Sequence, residues 1–153
     1  MRAMRNLLTT DHSVHLCIDM QRMFAEQTEW STPWAVKILP QIIALTEVNP
    51  ANTIFTRFIP VANKHAAHGM WQKYYERWEN MTLEKIDSAL LELIPALAAF
   101  VPPAAVFDKH VYGPWVEPIC INICNCAASI RSSFQAGKPT FACWRPFSGR
   151  SIL

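Results

Sequence analysis

The sequence predicts an α/β protein built on a parallel sheet, and three observations carry that expectation. Apolar runs rich in β-branched and aromatic residues recur at 14–18, 52–58 and 104–108. The segments between them keep helical spacing, so the order is strand, helix, strand, helix, strand, as crossover connections require. Two of the runs finish on ionisable residues, Asp19 after the first and Asp108-Lys109 after the third. Residues that follow the third run lose both periods, so the sheet is expected to be incomplete at its C-terminal end.

Bulk properties narrow the class. A chain of 153 residues suits one domain with a real core. With 51% hydrophobic and 17% charged residues it falls in the globular class. A net charge of +2, carried by scattered lysines and arginines, argues against a nucleic-acid partner. The longest apolar region, from Leu90 to Val106, is interrupted by Glu92, Pro95 and Pro102-Pro103 and does not read as a membrane span. The start, Met1-Arg2-Ala3-Met4-Arg5, is charged and opens no long apolar run, so no signal peptide is expected and the compartment is read as cytoplasmic. The five cysteines are then expected as reduced thiols.

The elements follow in order. Residues 1–12 read as a lead-in. Val14-His15-Leu16-Cys17-Ile18 is the first strand, ending in Asp19, which reads either as a turn residue or as a site residue. Cys17 lies inside that strand, where a cysteine acts as a small buried apolar residue; by period it shares a face with Asp19. Residues 22–32 read as a polar and aromatic loop able to line a pocket. Thr32-Pro33 opens a helix, with Val36, Leu39, Ile42, Ile43 and then Thr46 or Val48 on its apolar stripe and Pro40 expected to kink it. Residues 52–58 form the second strand, stopped by Pro60. Trp71, Tyr74, Tyr75 and Trp78 keep helical spacing within 62–82, more in the manner of core packing than of a substrate wall. His65 and His68 lack a third ligand at a diagnostic spacing, so no metal is expected there. Residues 88–101 read as an apolar helical segment, interrupted at Pro95, that leads into the third strand. Asp19 and Lys109 would then share the carboxyl edge of the sheet, where ligands bind in open α/β folds.

Three pieces of this chain resemble the isochorismatase-like cysteine hydrolases: Leu16-Cys17-Ile18-Asp19-Met20-Gln21, Thr53-Ile54-Phe55-Thr56-Arg57-Phe58, and Phe107-Asp108-Lys109 with Tyr112 and Trp115. The resemblance runs from about residue 12 to Glu117 and implies a Rossmann-like three-layer fold. It implies hydrolysis of a small amide or related acyl compound through an Asp-Lys-Cys triad, without a cofactor. Asp19 would be the base and Lys109 the cation that favours the thiolate. Phe24, Trp30, Arg57 and Trp115 are candidate pocket-lining residues. A homo-oligomer is also implied, and a small molecule as substrate.

The nucleophile of such an enzyme sits in a turn of the type Gly-Gly-Glu-Thr-Asp-Val-Cys, and no such turn is present. Residues 1–118 therefore read as the N-terminal part of the domain and 119–153 as an aberrant, out-of-frame tail. When each codon is built from the last base of one printed codon and the first two of the next, residues 128–152 permit Val-Asp-Thr-Leu-Ile-Val-Ser-Gly-Gly-Glu-Thr-Asp-Val-Cys-Val-Leu-Ala-Ala-Val-Leu-Gly-Ala-Val-Asp. That is a strand, the nucleophile turn and a helix, with the missing cysteine spanning the codons of Phe141 and Ala142. Two other readings stand beside this one: a non-catalytic fragment or binding module, or a native small protein whose Cys120, Cys124, Cys126 and Cys143 form a thiol or metal site. The spacing of those four lacks the paired two-residue gaps of zinc ribbons.

Overall fold

A computed structural model of the chain describes residues 14–113. Trp115, the cysteines of the tail and the whole of 119–153 lie outside the described residues. Three strands, β1 (His15–Ile18), β2 (Thr53–Phe58) and β3 (Ala105–Lys109), form one sheet in the order β1-β2-β3. Both pairings are parallel, with Ile18 opposite Thr56 and Phe58 opposite Lys109. β2 is the middle strand, and Thr53, Ile54, Phe55, Thr56 and Phe58 are all buried, as the run of apolar and β-branched residues requires of a strand covered on both faces. The α/β class and the parallel order expected from the sequence are observed.

Helix α1 (Arg22–Ala25) follows β1 and replaces the start of the expected loop. α2 (Pro33–Val48) begins at the expected place, with Thr32 at the cap and Pro33 in the first turn, and it continues through Pro40. Its inner stripe differs from expectation by one position. Val36 is 56% exposed, and the small Ala35 is buried instead. Ala35, Leu39, Ile42, Ile43 and Thr46 keep one face of the helix, and the alanine lets its first turn come close to the sheet. The four apolar ones join Cys17, Phe55 and Val106 in one core cluster, so α2 covers one face of the sheet. The other face carries Ile54 against Leu16, Ala105 and Phe107, and Ile18 there is 46% exposed.

α3 (Met70–Arg77) is shorter than the expected 62–82 helix, which is otherwise broken into 3-10 turns. The segment 88–101 departs further. It holds a 3-10 turn at Ser88–Leu91, an extended piece, and only four helical residues in α4 (Pro95–Ala98). The extended piece has a physical cause: Leu93 bridges Gln21, and the residue before Pro95 is pushed away from the helical region. Leu93, Ile94 and Leu97 use that course to enter the core beside Phe55. No helix among the described residues is long and apolar enough to cross a membrane.

Candidate active site

Asp19 reaches the sheet edge by leaving the strand. After Ile18 pairs with Thr56, the Asp19 backbone turns into the left-handed region at φ 54°, which aspartate tolerates better than most residues. A continued strand would have placed the carboxylate on the face of Cys17. The turn carries it to the opposite face, where the Thr56 hydroxyl donates to Oδ1 at 2.8 Å and accepts the Asp19 N–H at 3.2 Å. The shared face of Cys17 and Asp19 expected from period alone is thus corrected by one dihedral angle.

β3 brings Lys109 to the same point. It is the last residue of the strand and is fully buried. Its Nζ donates to Asp19 Oδ2 at 2.6 Å and to the carbonyls of Val111 and Tyr112 at 3.1 Å each. An ammonium group has three donors, and all three are used. The Phe58 ring lies 5.1 Å from the same nitrogen. A charge taken this far from water persists only when paired and hydrogen-bonded, which these contacts supply.

Two of the expected pocket residues adjoin this pair through aromatic contacts. Phe24 stacks on Trp30 at 6.2 Å, and Trp30 lies 5.8 Å from Phe58, the ring beside Lys109. Tyr74 and Trp71 extend the cluster to Tyr112, which stacks on Phe58 and is 63% exposed. The helical aromatics therefore divide between the two roles weighed for them: Tyr75 is buried core, while Trp71 and Tyr74 reach a ring at the surface. Arg57 is not brought to this group. It pairs through Nε and Nη2 with both oxygens of Asp108, and through Nη1 with Glu92 at 2.8 Å, on the other face of the sheet. The hydrogen bond to Asp108, above all, raises its already high pKa.

Cys17 is buried in the α2-facing core, and burial followed by the nearby Asp19 charge pushes its thiol up to about 12. It is a packing residue, as expected. Thr56 and Gln21 are part of the site, and sequence reasoning passed over both. Thr56 looks like any β-branched strand residue. Gln21 offered one signal, a polar side chain at the end of an apolar run. Among the described residues no group of three His, Cys, Asp or Glu could hold a metal ion.

A carboxylate pinned against a buried ammonium at a sheet edge can accept a proton from an approaching nucleophile and favour its anion. A model of the isochorismatase domain matches residues 13–125. The chain belongs to the isochorismatase family. As a family member it shares its fold with a cysteine hydrolase from Pseudomonas syringae pv. phaseolicola 1448A, at a TM-score of 0.60 and 20% identity. The match covers 76% of this chain and 55% of that one, so this isochorismatase-family chain spans about half the length of that hydrolase. No curated protein matches it.

Proposed function

We propose that Asp19 and Lys109 are the base and the cation of a cysteine-hydrolase site for a small amide or related acyl compound, and that the chain as written is inactive because it lacks the nucleophile. The observation that carries this is the 2.6 Å contact between a fully buried ammonium and a carboxylate that come from strands 90 residues apart. A structural ion pair in that position is expensive to maintain, and charged groups are held in such sites where chemistry uses them.

In the complete site, the thiol would give its proton to Asp19 while Lys109 favours the resulting thiolate. Sulfur then adds to the carbonyl carbon, and the C=O electron pair moves to oxygen. Collapse of that adduct expels the amine, which takes the proton held by Asp19. Water, deprotonated by the same carboxylate, cleaves the thioester and regenerates both groups. Every step needs a sulfur that the described site does not supply, since Cys17 sits inside the core with a raised pKa.

The out-of-frame reading of 119–153 supports the same view and is tested with it. One base inserted near codon 118 should yield a protein carrying the Glu-Thr-Asp-Val-Cys turn. That protein should release ammonia from at least one of a panel of small primary amides, lose the activity on mutation of the new cysteine, and leave this chain without turnover. A restored protein with no amidase or esterase activity, or an equally active native chain, would sink the reading. On this reading the protein works in the cytosol, acts on a small molecule and associates with copies of itself.

A further inference from the structure

We infer that Gln21 is a positioning residue that lets Asp19 leave the strand, by supplying from its side chain the two ladder bonds which the departing backbone no longer makes. This inference rests on the proposed roles of Asp19 and Lys109. In a parallel ladder, one step beyond the Asp19 N–H bond to the Thr56 carbonyl, the Phe58 N–H would donate to the Asp19 carbonyl. The Phe58 carbonyl would in turn accept from the Gln21 N–H. Neither bond forms. The Asp19 carbonyl and the Gln21 N–H bond to each other instead, at 2.8 Å, closing the turn that swings the carboxylate across the edge.

Phe58 is buried, so its two backbone groups need partners. The Gln21 amide provides both. Its Oε1 accepts from the Phe58 N–H at 2.7 Å, and its Nε2 donates to the Phe58 carbonyl at 3.1 Å. The second Nε2 hydrogen goes to the Leu91 carbonyl at 2.7 Å. The side chain is fully buried and has the planar donor–acceptor pair of a peptide unit, which is why it fits the vacated place. The same bonds hold the Phe58 ring beside the Lys109 ammonium. Removing them gives the chain a reason to resume the strand, with Asp19 drawn back toward the face of Cys17.

The test reads the Asp19–Lys109 distance in the full chain without needing catalysis. A water-soluble carbodiimide joins a carboxylate to an amine only in direct contact, and mass spectrometry of the digest counts the amide formed. The surface pair Glu79–Lys85, 2.8 Å apart, serves as the internal reference. The Gln21→Met chain should lose roughly five-fold or more of the Asp19–Lys109 product while the reference is unchanged. Gln21→Glu, which keeps the shape and the acceptor for Phe58, should lose less. Equal yields in all three chains would overturn the inference. So would joint loss of both products in both variants, which would make Gln21 a support of the whole fold. An inactive frame-restored protein alongside a selective loss of the product would sink the proposed function and leave this inference standing.

Discussion

Lys109 has no exposed side-chain surface, whereas Asp19 keeps 21% of its own in water, so the two halves of the pair differ in what their loss costs. Asp19→Asn leaves a buried ammonium without its counter-charge and should cost about 3–5 kcal/mol. Lys109→Met leaves a carboxylate that still has the Thr56 hydroxyl and some solvent, and should cost less, about 1–3 kcal/mol. Urea unfolding of the two variants checks the order. Cys17 gives a second prediction with a definite sign. Its folded pKa is raised to about 12, so its contribution is present below the ordinary thiol range and is lost as pH rises toward that value. Stability should therefore fall through the alkaline range in the native chain and less so in Cys17→Ala, as thermal melts across that range would show. The meeting of Asp19 and Lys109 at one sheet edge was legible in the sequence because each directly follows or ends an apolar run that reads as a parallel strand. Thr56 and Gln21 were not, because their roles depend on a turn at Asp19 that no local pattern announces.

Among the elements, β2 is the one the others are built against. Phe55 is fully buried between Cys17, Val106 and α2, and Phe55→Ala should cost about 3–5 kcal/mol by denaturant melting, more than any exposed apolar change on α2 such as Val36→Ala. The three strands could be read from composition because each is a continuous apolar run, most fully so in β2, which is covered on both faces. Helix α2 could be placed from Thr32-Pro33, yet its stripe was misjudged, since Ala35 and Val36 are both apolar and only contact with the sheet selects between them. The crossover into β3 was the least legible piece. Its apolar spacing suits a helix, but Pro95 and the bridge from Leu93 to Gln21 hold part of it extended.

For the molecule as a whole, the described sheet has β1 and β3 at its edges and a face on which Ile18 is 46% exposed. Open strand edges beside apolar surface favour association between chains. Sedimentation velocity of this chain should show dimers or larger species, and a monodisperse monomer with one cooperative melt would contradict that. The family was readable from three short pieces because each carries part of one edge. The substrate was not, because the proposed lining, the aromatic cluster from Phe24 to Tyr112, would suit many planar or apolar groups. The most direct measurement is the rate at which the cysteine of the frame-restored protein reacts with iodoacetamide near neutral pH, with and without Lys109→Met. The thiol should react roughly ten-fold faster than an ordinary exposed one and return to the ordinary rate in the variant. An ordinary rate in both proteins would contradict this.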